Sequence, residues 1–534
     1  MRVMTPWVKC FPDITVAGVT GPARLSISIF EAGRPVWAGP GQPGPLTTPV
    51  QLSEFCEFEY SRTFLALTSS NCPLAIAYFV GVKPNIDKHD EKVGTTTPAP
   101  LTTTLTPVIP PLVPCGDQCK YELVESLPVG LYEGLKVKRL RSTYESWMEL
   151  MDSANKSIDI GTMYWSLLVK NTGNNFTDND PSAKEGEDVY NKLKEVASKG
   201  VKLRIAQDGN RGVFPETVDL AKAGLAEVRS LNFTALVGAG ILHTKFWIID
   251  DRDLYLGSAN HDWRALTQVK EMGVLIRDCP CVAADLKNIF EVYWTLGVPG
   301  ARVPGIWPAD YAVPNNERNP ISARVEGENA LMYLTTSPPS FAPVGREHDG
   351  ETIVRNIDAA TKYVYISVMD YAPATFYNPH NYYWPNIDDA LRRAAYDRRV
   401  QVRILISKWP STRAAVMAHL RSLTALDSTL PCDFDRNAKK CKEGTKGSIQ
   451  VKVFQVPPYN VTIPYTRVNH AKYMISDYTA TVCTSNWSAD YFINTGGVSI
   501  VMKSEDARTE SKIVKDLREI FERDWDSEYA TDLK

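Results

Sequence analysis

Two short stretches of the chain carry the same set of side chains, and that set can grip and cleave a phosphodiester. They are HTKFWIID, from His243 to Asp250, and HAKYMISD, from His470 to Asp477. Each places a lysine two residues after the histidine and an aspartate five after the lysine. Asn260, in GSAN, follows its histidine by seventeen residues, and Asn486, in TSNW, follows by sixteen. With only seven histidines in 534 residues, two in one frame argue a duplication rather than coincidence.

A phosphodiester resists cleavage because its anionic oxygens repel nucleophiles and its alkoxide leaves poorly. Paired imidazoles answer both difficulties. One, neutral, attacks phosphorus and becomes a phosphohistidine; the other, protonated, donates to the departing oxygen and then activates water. Their titrations should be coupled. Lys245 and Lys472 set positive charge against the non-bridging oxygens, and Asn260 and Asn486 add donors, so neither a metal nor a cofactor is expected. Asp250 and Asp477 sit too far along for a part in catalysis and read as structural partners. Glu271, on the approach to GVLI (273–276), is expected to hold the far ring nitrogen of His243. The corresponding place in the second copy is taken as Asn494 or Thr495, which carry no charge. This asymmetry makes His243 the expected nucleophile and His470 the expected general acid/base. One copy alone could be a strand with an incidental histidine; two copies inside a repeat argue against that.

The elements that position these residues also come in pairs. SIDIGTMYW (157–165) answers YVYISVMDY (363–371), VKLRIAQD (201–208) answers VQVRILIS (401–408), and GVLI answers GVSI (497–500). DLKNIFEVYW (285–294) and DLREIFERDW (516–525) close each half with a helix. Strands alternating with helical patterns predict an α/β class, as two mixed-sheet lobes related by a pseudo-twofold axis that sets the motifs face to face. Lobe 1 is expected over residues 115–300, a connector over 301–345 and lobe 2 over 346–534. Ahead of them, 1–94 reads as a small β-rich module and 95–114 as a Thr/Pro-rich stalk. The uncharged stretch 63–82 reads as a hairpin, with a membrane anchor as the alternative. The aromatic segment 371–385 would cover the rim of the site, stack unpaired bases or touch a membrane surface.

At 44% hydrophobic the chain can bury a large core, and a net charge of −3 gives no global attraction to nucleic acid or anionic membranes, though a local basic groove remains compatible. Ten cysteines and sequons at Asn155, Asn175, Asn232 and Asn460 point to the secretory route, and NWS at Asn486 also fits the sequon. MRVMTPWVKC lacks the apolar core of an ordinary signal peptide, which conflicts with that route. Cys115 and Cys119 frame CGDQC and Cys279 and Cys281 frame CPC, whose spacing is too tight for ordinary zinc binding, so disulfides are favoured over metal ligands. Cys432 and Cys441 sit in a polar insertion where they can pair locally, and Cys483 reads as a small buried residue.

The doubled H-x-K-x4-D with its asparagine turns resembles the signature of the phospholipase D superfamily. LGSANHDWRALTQVKE, CPC, IFEVYWTLG, RVNHAKYM, TSNWS and FERDWDSEY look closely like phospholipase D types three and four, over about 115–534. That resemblance implies glycosylated lysosomal 5′ exonucleases acting on single-stranded DNA and RNA, with lysosomal phospholipid transphosphatidylation also attributed to the group. It implies a membrane-anchored form with a released luminal part, and disulfides Cys115–Cys281 and Cys119–Cys279 or the alternative pairing. The expected partners are single-stranded nucleic acid, phospholipid and a second copy of the chain. Two departures stand out: the N-terminal region lacks that group's short tail and clear anchor, and Asn494 stands where an acidic residue is expected. A binding glycoprotein without catalysis is the remaining reading, disfavoured by two intact motifs.

Overall fold

The computed structural model describes residues 15–17, 66–68 and 112–534, apart from 117, 174–175, 177–179 and 507–509. The chain divides into two units, Met1–Thr102 and Thr103–Lys534. In the first, the described residues form one antiparallel pair, Thr15–Ala17 with Ala66–Thr68. The rest of the expected module, all of the expected hairpin or anchor at 63–82 except Ala66–Thr68, and nearly all of the stalk lie outside the described residues. Among those described, no helix is long and apolar enough to cross a membrane.

The second unit is mixed α/β and built twice. Lobe 1 contributes β1 Lys120–Ser126, β2 Ser157–Thr162, β3 Lys202–Asp208, β4 Glu227–Leu231, β5 Lys245–Ile249, β6 Asp253–Gly257 and β7 Glu271–Arg277. Lobe 2 contributes β8 Glu328–Ser337, β9 Tyr363–Val368, β10 Gln401–Ser407, β11 Ser448–Phe454, β12 Lys472–Ser476, β13 Thr479–Cys483 and β14 Gly497–Ser504. The first set lies side by side as β1-β7-β6-β5-β2-β3-β4 and the second as β8-β14-β13-β12-β9-β10-β11, one topology in two copies. In each, the last three strands run parallel and the rest antiparallel. Strand β8 falls within the stretch expected to be connector. It pairs antiparallel with β14 from Ala330↔Ser504 to Ser337↔Gly497, so the sheet of lobe 2 begins earlier than the sequence repeat suggests.

Alternation along the motif strands decides which side chains meet. On β5, Phe246 and Ile248 enter a core shared by both sheets, while Trp247 and Ile249 pack under the helices Thr143–Ser153 and Lys184–Ser198. On β12, Tyr473 and Ile475 enter the same shared core and Met474 packs on the outer side. The closing helices Pro280–Leu296 and Lys512–Trp525 also bury their apolar faces in that shared core. Each wholly buried aromatic contributes about 2–3 kcal/mol of burial. The seam is tied further by buried charge: Lys270 of lobe 1 meets Asp524 of the last helix at 2.6 Å, and Arg523 meets Glu125 at 2.8 Å.

Disulfides join Cys115 to Cys281 and Cys119 to Cys279, and Cys432 to Cys441 across the small hairpin of the lobe 2 insertion. Cys119, Cys279 and Cys281 lie close enough together to hold a metal, but all three are committed to these bonds. Cys483 is free and buried. Asn155, Asn232 and Asn460 are exposed, Asn175 lies outside the described residues, and Asn486 is buried and so closed to a glycan.

Candidate active site

The two lobes lace into each other where the motifs begin. The His243 N–H donates to the Gly496 carbonyl at 2.7 Å, and the His470 N–H donates to the Lys270 carbonyl at 2.8 Å. Leu242 bridges Gly496 and Asn469 bridges Lys270, both in parallel. Each histidine is thus hung on the strand entrance of the other lobe. Both rings open into one cavity of about 620 Å³, which Asn260, Asn486 and Glu271 also line. Of the side chains expected to act together, the two histidines, the two asparagines and Glu271 meet at this cavity, and the two lysines do not line it.

Within each motif the lysine folds back on its own histidine. Lys472 donates to the His470 carbonyl at 2.7 Å, and Lys245 donates to the His243 carbonyl. Both lysines are wholly buried. Burial pulls Lys245 well below the ordinary lysine range, and Lys472 beside it adds to the effect. Burial also brings Lys472 down to about 7, against the opposing pull of Glu271 and Asp370. An incoming phosphate reverses this, because an anion among desolvated amines favours their charged form.

The histidines differ in what holds Nδ1, and here the structure departs from expectation. Glu271 does not touch His243. Its carboxylate accepts from Nδ1 of His470 at 2.8 and 2.9 Å and also accepts from the Ser258 hydroxyl. The reason is the lacing: Lys270 runs beside Asn469, so the next residue points at the histidine of the other lobe. By the same lacing the counterpart of Glu271 is Gly497, not Asn494 or Thr495. Met272 and Val498, the residues that follow, accept from equivalent turns, at Ser258 and Thr484. A side chain at Gly497 would collide, since its Cβ would lie 2.1 Å from Ser485 Oγ.

Nδ1 of His243 instead lies 2.9 Å from the Thr484 carbonyl. A carbonyl only accepts, so this contact calls for a proton on Nδ1 and leaves Nε2 its lone pair. Lys245 Nζ lies 3.1 Å from the same Nδ1, a contact that fits this tautomer only with the neutral amine that burial favours. Burial holds His243 well below its usual value, with Lys245, Lys472, His470 and Arg211 pushing the same way. Burial brings His470 down to about 4, with Glu271 opposing. The two rings are thus unequal, and His470 is the one whose protonated form has a carboxylate to stabilise it.

Asp250 and Asp477 lie away from the chemistry in matched positions. Asp250 accepts the N–H groups of Asn155, Lys156 and Ser157 at 2.7 to 2.9 Å, and Asp477 accepts those of Thr361 and Lys362. Each pins the start of the neighbouring strand. The aromatic segment 371–385 forms part of the rim: Asp490 accepts the backbone N–H groups of Phe376, Tyr377 and Asn378, and Tyr377 lines the cavity. Two lining residues had no signal in the motif alone. Tyr491 sets its ring edge-on to His243 at 4.9 Å and accepts from Asn486 Nδ2 at 2.9 Å. It stands five residues after Asn486, where lobe 1 has Ala265 after Asn260, so aligning the halves would have exposed it. Arg211 is the other.

Two lobes of one topology, each giving a histidine and an asparagine to a shared cavity with a buried lysine held against the histidine, define a phosphodiesterase of the phospholipase D superfamily. A family model described as "PLD3/4, PLD-like domain" matches residues 137–441, and the chain belongs to that family. It is 42% identical over 420 residues to the 5′-3′ exonuclease PLD3 of Xenopus laevis, covering 78% of this chain and 81% of that protein. It is 43% identical over 423 residues to the probable phospholipase D F09G2.8 of Caenorhabditis elegans, covering 78% and 72%. Among solved structures, the phosphatidylserine synthase of Haemophilus influenzae aligns with a TM-score of 0.46 at 12% identity, covering 73% of this chain and 85% of that one.

Proposed function

We propose that this phosphodiesterase is a 5′-3′ exonuclease of single-stranded DNA and RNA that works through a phosphohistidine on His243. The observation carrying the mechanism is the pair of imidazoles from different lobes, unequally supported, at one cavity. Nε2 of His243, neutral and oriented by the Thr484 carbonyl, attacks phosphorus and forms the N–P bond. The P–O bond to the leaving oxygen breaks as His470, its imidazolium favoured by Glu271, gives that oxygen a proton. His470 then takes a proton from water, the water oxygen bonds to phosphorus, and the N–P bond breaks. The assignment of roles is the one expected from sequence, but Glu271 supports it by making His470 the better acid.

Lys245, Lys472, Asn260 and Asn486 supply the charge and donors for the phosphate oxygens, and the reading needs no metal. Tyr164, Trp409, Tyr377 and Tyr465 around the cavity offer faces for unpaired bases, and the likeness to PLD3 exonucleases supports nucleic acid over lipid. Exposed sequons and the disulfides among the described residues support a luminal, oxidising setting.

The test is digestion of 5′-hydroxyl single-stranded DNA at about pH 5 in the presence of a chelator. Mononucleotide release that disappears in His243→Ala and His470→Ala is the expected result. Lipid headgroup release without nucleotide release would move the assignment to a phospholipase.

A further inference from the structure

The turn after β3 carries an arginine that the chemistry above leaves idle. Asp208, the buried last residue of β3, moors this turn to the motif. Its Oδ2 accepts the N–H groups of Asn210 and Arg211, each at 3.0 Å, and its Oδ1 accepts that of Leu242 at 2.8 Å. Leu242 directly precedes His243. Asn210 ties the turn on its far side, accepting from the Phe233 N–H at 2.7 Å and donating to Thr234 Oγ1 at 2.6 Å. In lobe 2 the matching strand end, Ser407, accepts from the Asn469 N–H at 3.0 Å, a mooring without charge and without an arginine turn. Arg211 therefore springs from fixed backbone beside the nucleophile.

The other cations at or near the cavity are engaged. Arg264 is spent on Asp262 at 2.6 to 2.9 Å and on the Pro464 carbonyl at 2.9 Å. Both motif lysines are held by the carbonyls of their own histidines. Among the described residues Arg211 has neither an ion-pair partner nor a side-chain hydrogen bond. Its guanidinium lies 6.0 Å from the centre of the Tyr164 ring, and it lines the cavity together with exposed Val213. Its charge reaches the centre, since it is among the groups that depress His243 and Lys245.

We propose that Arg211 binds the phosphate adjacent to the scissile one in a polynucleotide, with Tyr164 and Val213 underlying the nucleoside between the two. This rests on the nucleic-acid reading above. A polynucleotide brings a second phosphodiester to an exposed, pre-positioned guanidinium, and a diester with a single phosphate does not. Arg211 is thus a specificity residue for chains over isolated diesters.

The full chain with Arg211→Gln or Arg211→Lys is compared with the parent on a short 5′-hydroxyl oligothymidylate and on bis(p-nitrophenyl) phosphate. The glutamine variant should raise KM for the oligonucleotide about tenfold or more, with a smaller change in kcat. It should also make log(kcat/KM) shallower against log[salt] by about 0.7. Lysine should restore most of both effects. The loss on bis(p-nitrophenyl) phosphate should be several-fold smaller than on the oligonucleotide. Equal losses on the two substrates overturn the proposal, because Arg211 then acts only through His243. No loss on the oligonucleotide overturns it as well. A parent chain that hydrolyses bis(p-nitrophenyl) phosphate but no oligonucleotide overturns the nuclease reading itself, and the second-phosphate site with it.

Discussion

Glu271→Gln isolates the feature that makes the two histidines unequal. Glutamine keeps the shape and an acceptor for Nδ1 of His470 but removes the charge behind two contacts at 2.8 and 2.9 Å, in a place where both residues are buried. A hydrogen bond to a charged group contributes about 1.5–3 kcal/mol. At about 1.4 kcal/mol per factor of ten, kcat should fall roughly ten- to a hundredfold with little change in KM. The assay compares an oligonucleotide, whose alkoxide needs a proton to leave, with bis(p-nitrophenyl) phosphate, whose p-nitrophenolate does not. The first burst of p-nitrophenolate should be largely spared. The pH profile supplies a sign. An acid works while protonated, so activity is lost as pH rises through its pKa. Burial lowers His470 to about 4 and Glu271 opposes that, so its removal moves the alkaline limb to lower pH. Unchanged kcat, equal losses on both leaving groups, or a limb moved upward would each refute the reasoning.

Other outcomes follow from burial and backbone. Burial raises Asp349 to about 6 from 3.8, so the native state binds a proton the unfolded chain has lost. That preference stabilises the fold by about 3 kcal/mol at low pH and is lost as pH rises from about 4 through about 6. Urea titrations should show Asp349→Asn flattening stability across that window. Gly240 has φ +90, and a Cβ there would lie 1.9 Å from the Asn494 carbonyl oxygen. Gly240→Ala should therefore cost about 2 kcal/mol or more and lower the urea midpoint. The disulfides Cys115–Cys281 and Cys119–Cys279 close nearly the same loop, with separations of 166 and 160 residues. Replacing one pair by serines should cost little, and replacing both should cost about 5 kcal/mol, measured as the loss of unfolding free energy.

The duplicated motif was legible because a histidine, lysine and asparagine in a fixed frame on a strand leave a local mark. The paired strands 157–165 and 363–371 were legible for the same reason. What the sequence concealed was contact between the copies. Glu271 lies closer along the chain to His243 yet serves His470, because Lys270 runs beside Asn469 across the seam. Chain order says nothing of such an exchange. β8 has no local mark because it lies far along the chain from either motif, and its partner β14 is more than a hundred residues away. Arg211 sits on a turn that Asp208 shapes by accepting the N–H groups of Asn210 and Arg211 and moors by accepting that of Leu242, a long-range contact that no spacing records.

The most direct measurement of the central claim is rapid quench of the enzyme during turnover, followed by mass spectrometry of its peptides under conditions that preserve N–P bonds. A nucleotidyl adduct on the peptide bearing His243, absent in His243→Ala, is the predicted result. An adduct on His470, or turnover with no adduct on either imidazole, would contradict the account.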